Sequence, residues 1–134
     1  MDKLKIENKE LTVDFEINDK NWCSLSAKTK EQEVYLGADD VNVVCRKMVK
    51  NLSDIQNSKS FIYEGKEMVL IITLYETYNT LMYYKCNDNS IQLMIGDKDG
   101  IISPLASLTE NERIRSINKI ELFLSEYNKK HCIE

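Results

Sequence analysis

The sequence has few of the residues on which catalytic and metal sites most often depend. Its 134 residues include one histidine, His131, close to the C-terminus, where chains usually fray. Histidine is the commonest general acid or base at neutral pH and the commonest metal ligand. Its scarcity disfavours Ser-His and Cys-His nucleophile pairs and most zinc sites, and the sequence contains no recognised catalytic motif. We therefore predict a non-catalytic protein that holds no metal and no cofactor.

The chain also lacks paired cysteines, a signal peptide and a long apolar run. Its four cysteines, Cys23, Cys45, Cys86 and Cys132, are widely separated and form no C-x-x-C pair. The first residues contain no apolar segment of the kind that a signal peptide requires. The longest apolar run, residues 68–74, is too short to cross a bilayer. These features predict a cytoplasmic protein with free thiols and no membrane association.

Composition and net charge limit which classes of protein and of partner are compatible with the sequence. One proline and four glycines leave little room for linkers, and 43% hydrophobic residues are typical of a globular chain. We therefore predict one domain over residues 1–134. The net charge is −4 and the sequence pI about 5.1, which disfavours direct binding of nucleic acid. An acidic domain is compatible with a basic protein partner, although acidity often serves solubility alone.

Hydrophobic periodicity predicts an α+β fold. Strict alternation over residues 11–17 indicates a half-buried strand, and further alternating or apolar segments follow it. Steps of three and four predict an amphipathic helix from about Val41 to about Gln56, with Asp39 or Asp40 as its N-cap. Thr109 and Glu112 have the capping-box spacing, and a second helix should run to about Lys129. We expect an antiparallel β-meander sheet with two amphipathic helices packed on it.

Carboxylates on the strand at residues 11–17 form the first candidate partner-binding group. Glu10, Asp14 and Glu16 lie on one side of this strand and could dock a basic partner. Charges on the polar side of a half-exposed strand also serve solubility and protect sheet edges. Both interpretations remain open at this point.

Tyrosines in the second half of the chain form the other candidate group. Residues 68–75 and 81–84 are apolar on both sides of their strands, so one face of the sheet could stay open to a partner. Tyrosine and methionine are enriched at interface cores, which makes Tyr75, Tyr78 and Tyr83 candidate contacts. The alternative is that these residues are ordinary core. Trp22 is either packed at the edge of the core or an interface anchor.

One segment resembles part of a calcium loop but fits a turn better. The residues Asp97-Lys98-Asp99-Gly100 lack the spaced ligands and the closing glutamate that an EF-hand needs. A D-G turn in a β-hairpin explains them. No metal site is predicted here.

The C-terminal third of the chain is similar to the ends of some small bacterial immunity proteins. The resemblance lies in the run from Asp99 to Leu105, in the pattern Leu108-Thr109-x-x-Glu112 and in the terminal helix. These immunity proteins accompany polymorphic and contact-dependent inhibition toxins. The resemblance implies a cytoplasmic, non-catalytic inhibitor that occludes a cognate toxin domain, often a nuclease, through acidic and aromatic surface.

Two other classes of function stay open. The first is a small enzyme or ligand-binding domain with a cleft lined by tyrosines and carboxylates. The second is a self-associating adaptor protein that uses the same sheet face. A homodimer is compatible with the inhibitor and with the adaptor. The absence of histidine motifs favours the inhibitor over the enzyme.

Overall fold

The computed structural model describes residues 2–53 and 58–132. Four strands lead into the first helix: β1 (Asp2–Glu7), β2 (Thr12–Ile17), β3 (Trp22–Lys28), β4 (Glu33–Asp40) and α1 (Val41–Ser53). Five strands lead into the second: β5 (Ser60–Tyr63), β6 (Lys66–Thr73), β7 (Thr80–Lys85), β8 (Ile91–Gly96), β9 (Ile102–Leu108) and α2 (Glu110–Lys130). The antiparallel strands and two helices confirm the predicted α+β class.

The strands form two sheets where the sequence pattern predicted one. The first sheet has the order β1-β2-β3-β4 and the second the order β5-β6-β7-β8-β9, each strand antiparallel to its neighbours. Short turns between successive strands favour pairing in sequence order, and α1 interrupts this series after β4. An isolated bridge between Ala38 and Tyr75 joins the first sheet to the segment that follows β6.

Two irregular strands explain where the predicted strand ends differ from the observed ones. The apolar run at residues 34–36 predicts a strand that ends at Gly37. β4 instead continues to Asp40, because the register shifts beside Gly37 and the strand keeps pairing with β3. A second shift between Leu70 and Ile72 brings both Ile71 and Ile72 into the core. β6 therefore loses simple alternation and ends at Thr73, two residues before the predicted end.

Both helices begin where their capping signals predict. Asp40 caps α1, since its carboxylate accepts a hydrogen bond from the backbone N–H of Asn42 at 2.9 Å. The capping box of Thr109 and Glu112 is present at the start of α2. The buried stripe of α1 is Val41, Val44, Cys45, Met48 and Leu52. Its predicted end at Gln56, and the predicted core residue Ile55, lie outside the described residues.

One apolar core joins the two sheets and the two helices. It contains the inner faces of both sheets, the buried stripe of α1 and the residues Ile117, Ile120 and Tyr127 of α2. Leu124 is half-buried against this core, as expected. The spacing of apolar residues in the sequence of α2 also predicts that Ile114 faces the core, but Ile114 is 44% exposed, because α2 begins at the rim of the core.

The C-terminal end of α2 is held against β1. His131 caps α2, its ring stacks on Tyr127 with centroids 4.2 Å apart, and its Nε2 lies 2.8 Å from Asp2 Oδ2. Lys130 Nζ lies 2.9 Å from the other carboxylate oxygen of Asp2. These contacts explain why α2 stays ordered to its end, where the sequence alone suggested fraying. They also account for the lowered pKa of Asp2, whose largest causes are its hydrogen bonds to Lys130 and His131.

Candidate partner-binding surface

One face of the first sheet is turned away from the core, and we call it the outer face. Along β2, Val13, Phe15 and Ile17 are buried, whereas Asp14 and Glu16 alternate with them on the other side. Because directly opposite residues share a face, the outer face continues through Lys3 and Lys5 on β1 and through Ser24 and Ser26 on β3.

Two of the three predicted carboxylates lie on this outer face. Asp14 and Glu16 are neighbours on β2, as the alternation predicted. Glu10 precedes β2 and belongs to the turn after β1, where its backbone N–H donates to Asn8 Oδ1 at 2.9 Å. Glu10 therefore lies outside the strand that carries Asp14 and Glu16. The cavity beside Glu10 is lined by Lys9, residues 29–31 and Leu105, at the tips of the two hairpins.

Lysines on β1 oppose both acids of the outer face. Lys5 is the cross-strand partner of Asp14, and Lys3 that of Glu16. Opposite charges at such positions attract, so the pairs support the β1–β2 register. The interpretation of Asp14 and Glu16 as a purely acidic stripe is thus incomplete, because a local positive charge accompanies each carboxylate.

An aromatic loop, residues 74–79, lies between β6 and β7 against the edge of β4. Tyr75 is 66% exposed and Tyr78 is 80% exposed, so both predicted tyrosines present their rings to solvent. The backbone N–H of Ala38 donates to the carbonyl of Tyr75 at 3.0 Å. Asn79 Nδ2 donates to the carbonyl of Tyr35 at 3.0 Å. The loop is therefore attached to the first sheet at both of its ends.

Gly37 makes this close approach possible. A Cβ atom at that position would lie 2.3 Å from the carbonyl oxygen of Tyr75 and 2.8 Å from Leu74 Cβ. Gly37 also has a φ of +99°, in the region that disfavours residues with side chains. Within the loop, Glu76 takes a φ of +74°. A strained backbone of this kind persists where the surroundings hold it, and here the contacts with β4 do so.

Two aromatic residues of the first sheet extend the exposed ring surface. Trp22 stacks on Tyr75 with ring centroids 6.3 Å apart and an interplanar angle of 13°. Tyr35 is 39% exposed, and its hydroxyl donates to Glu76 Oε2 at 2.6 Å. Partial burial raises the pKa of Tyr35 above its ordinary value, and the hydrogen bond to Glu76 is the second cause of the increase. Sequence reasoning missed Tyr35 and left the role of Trp22 open.

The structure removes Tyr83 from the candidate surface. Its side chain is 0% exposed, and its hydroxyl donates to the carbonyl of Asn51 at 2.9 Å. The expectation that Tyr83 contacts a partner is therefore wrong. Its register neighbours, Val69 and Leu93, lie in the same core. Carbonyls in the last turn of a helix have no hydrogen-bond partner within the helix, and the Tyr83 hydroxyl supplies one for the carbonyl of Asn51.

The outer face brings the remaining acids and the aromatic rings onto one surface. In one cross-strand row, Glu16 opposes Ser24, Ser24 opposes Ala38, and Ala38 bridges to Tyr75. In the adjacent row, Asp14 opposes Ser26, which opposes Tyr35. Neighbouring strands are about 4.8 Å apart, so the first row spans on the order of 15 Å and the second on the order of 10 Å. The two groups that the sequence suggested as alternatives are parts of one surface.

Acidic residues also lie at the far side of the aromatic loop. A groove of about 780 Å³ runs between the loop and the turn that follows β8, where it is lined by Asp97, Lys98 and Asp99. Glu76, Tyr75 and Tyr78 line its other wall. The groove thus combines aromatic rings with three carboxylates and one lysine.

The described residues contain no candidate metal cluster and no disulfide. Residues 2–53 and 58–132 hold no cluster of three or more His, Cys, Asp or Glu side chains that could bind a metal. All four cysteines are free thiols. Burial raises the pKa of Cys45 to about 12 and that of Cys23 further, so these two thiols stay protonated at neutral pH.

Comparisons with known proteins do not assign this chain to a family. They find no matching family model, no matching curated protein and no matching solved structure. Among the described helices, none is long and apolar enough to cross a membrane.

Proposed function

We propose that this protein is a non-catalytic binding module that docks another protein through its outer face and aromatic loop. The observation that carries the proposal is the exposure of Tyr75 and Tyr78 on a loop that hydrogen bonds attach to the first sheet. Exposed tyrosines of this kind are the residues that most often dominate interface energies.

The attachment of the loop strengthens this argument. Binding orders flexible side chains and loops at a free-energy cost, so a loop that is already held in place loses less on association. Ala38 and Asn79 fix the loop backbone, while Trp22 supports the ring of Tyr75 from one side. The tyrosines therefore resemble preorganised contacts.

The charges around the loop favour a basic partner surface. Glu76, Asp97 and Asp99 line the groove with one lysine, Lys98. The net charge of −4 acts in the same direction over longer distances. Asp14 and Glu16 contribute less, because Lys5 and Lys3 oppose them. We expect basic side chains of the partner to contact the groove. Flatter apolar parts of the partner should contact the rings of Tyr75 and Tyr78.

The more specific proposal is that the protein is an immunity protein, which neutralises a cognate toxin domain by covering its functional surface. The resemblance of the C-terminal third to such proteins supports it, and Asp99 of the resembling segment lies in the groove. The four free thiols agree with a reducing compartment, which is where an inhibitor of an incoming toxin would act. We accordingly propose a cytoplasmic location.

Co-expression with the product of the neighbouring gene tests this proposal. If that product is a toxin domain, it should arrest growth when expressed alone, and this protein should restore growth and co-purify with it. The matched control replaces Leu122, which is 61% exposed on α2 and belongs to neither the outer face nor the aromatic loop, with alanine. A neighbour that is harmless alone and forms no complex at micromolar concentration would contradict the immunity proposal.

A further inference from the structure

The second sheet ends in a strand whose outer edge is open. β5 pairs on one side with β6 and has no strand on the other side within the described residues. It contains no proline and no charged residue between Ser60 and Tyr63, although both are common protections of sheet edges. Phe61 is 39% exposed and Ile62 is 72% exposed. Such an edge can accept another strand.

The hydrogen-bond pattern shows which backbone groups face outward. Leu70 N–H donates to the carbonyl of Lys59 at 3.2 Å, and the register continues from this pair through Phe61 with Met68 to Tyr63 with Lys66. Alternate residues of a strand direct their backbone groups to opposite edges. Lys59, Phe61 and Tyr63 therefore bond towards β6, and the N–H and C=O groups of Ser60 and Ile62 point away from the sheet.

The other three sheet edges carry contacts that β5 does not have in the described part of the chain. Lys119 Nζ donates to the carbonyl of Lys5 on β1 at 2.5 Å. The β4 edge holds the aromatic loop. On β9, the side chains of Asn8 and Gln32 donate to the carbonyls of Ser107 and Pro104. The outward groups of Ser60 and Ile62 receive no such donor or acceptor from any described residue.

We propose that β5 pairs antiparallel with β5 of a second copy of this chain, which joins two second sheets across a two-fold axis. In an antiparallel pair related by a two-fold axis, the numbers of each two opposed residues add up to the same value. Only residues whose backbone N–H and C=O groups point outward can exchange hydrogen bonds with the other copy. Centring the axis on Phe61 pairs Ser60 with Ile62 of the other copy and uses the whole strand. A register centred on Ile62 would instead need Glu64, which lies in the turn with a φ of +50°.

Charge complementarity favours a second copy in the antiparallel direction. Lys59 precedes the strand and Glu64 follows it, and both are exposed. Antiparallel pairing about Phe61 places Lys59 of each copy opposite Tyr63 of the other and one residue from Glu64, whereas parallel pairing would place like charges together. It also places the two Phe61 rings side by side on the face that carries Met68, so the apolar surface of the two sheets becomes continuous. Ile62 loses much of its exposed area.

A concentration series tests this pairing. Sedimentation velocity from the low micromolar to the millimolar range should show a monomer–dimer equilibrium, weak because a short edge strand buries less than a standard interface. Ile62→Pro removes an outward N–H that β6 does not use, and it should raise the dissociation constant about tenfold or more. Ile62→Lys should do the same if proline disturbs the hairpin. Leu122→Lys, at a residue that is 61% exposed on α2, should leave the equilibrium unchanged.

Disulfide trapping tests the register. In a background with Cys86→Ser and Cys132→Ser, Phe61→Cys should oxidise to a covalent dimer, because paired Cα atoms at such a position are about 4.5 Å apart. Ser60→Cys should not, because it faces Ile62 of the other copy. A wild-type protein that stays monomeric at every concentration would overturn the proposal and leave the edge to a strand of a different protein. Dimerisation unaffected by both Ile62 variants would overturn it as well.

Discussion

The rings of Trp22 and Tyr75 stack with an interplanar angle of 13°, although one begins β3 and the other follows β6. This contact joins the two sheets at the point where Ala38 bridges to Tyr75. The single tryptophan is therefore a spectroscopic probe at the centre of the proposed partner-binding surface. Its fluorescence should change when a partner covers Tyr75 or when the aromatic loop leaves β4.

Gly37→Ala should detach the aromatic loop from β4. The new Cβ would lie 2.3 Å from the carbonyl of Tyr75, and the φ of +99° would be strained, so we expect a loss of about 2–4 kcal/mol in the free energy of unfolding. Urea denaturation followed by Trp22 fluorescence measures this loss. Gly65→Ala is the matched control, because Gly65 has a φ of +77° but no atom within 4 Å of an added Cβ. Equal losses at the two positions would show that the contact with Tyr75 is unimportant.

Tyr83→Phe should lower stability without affecting partner binding. The change removes the hydroxyl that donates to the Asn51 carbonyl and leaves a buried acceptor with one fewer partner, at a cost of about 1–2 kcal/mol. Thermal or urea unfolding gives the first quantity and calorimetric titration with the partner gives the second. Weaker binding of the partner at an unchanged free energy of unfolding would indicate instead that Tyr83 contacts the partner.

Leu52→Ala and Leu124→Ala should both destabilise the protein, by different amounts. Leu52 is 3% exposed in the core, so its truncation should cost about 2–5 kcal/mol. Leu124 is half-buried at the rim, and its truncation should cost less. Denaturant unfolding of both variants checks this order. Losses under about half a kcal/mol at both sites would contradict the packing of the two helices.

The contact between Asp2 and the end of α2 should weaken in acid. Lys130 and His131 lower the pKa of Asp2 from its ordinary value of 3.8. A lowered folded-state pKa contributes stability that is present above the unfolded value and is lost as pH falls through the folded value. The protection of the amides of residues 127–130 against hydrogen exchange, measured relative to the intrinsic exchange rate at each pH, should therefore fall below about pH 4. Asp2→Asn should remove this pH dependence, and an unchanged profile in that variant would contradict the assignment.

Much of the fold could be predicted from local patterns. Alternation along β2, the buried stripe of α1 and the capping box at Thr109 each follow from residues close together in the sequence. The division into two sheets depends on where α1 takes the chain, which local periodicity does not encode. The register shift between Leu70 and Ile72 was equally hidden, because Ile71 and Ile72 fit either face by hydrophobicity.

The candidate surface could be predicted only in part. Alternation along β2 predicts the positions of Asp14 and Glu16. It does not predict that Lys5 and Lys3 oppose them, because the turn between β1 and β2 sets that register. Tyr75 and Tyr78 are exposed, so their role as partner contacts stays a prediction, whereas Tyr83 is buried. An apolar strand gives no signal of which face is buried, so the sequence could not separate Tyr83 from the other two. Tyr35 and Gly37 could have been suspected together, since a glycine inside a strand often marks close backbone approach.

Binding by single-alanine variants tests the central claim most directly. The dissociation constant for the co-purified partner should rise about 30-fold or more for Tyr75→Ala and Tyr78→Ala, as loss of an interface anchor costs about 2 kcal/mol. Leu122→Ala should bind like the wild type, with unfolding curves confirming that every variant is folded. Wild-type affinity in both tyrosine variants would contradict the account, because the aromatic loop would then lie outside the interface.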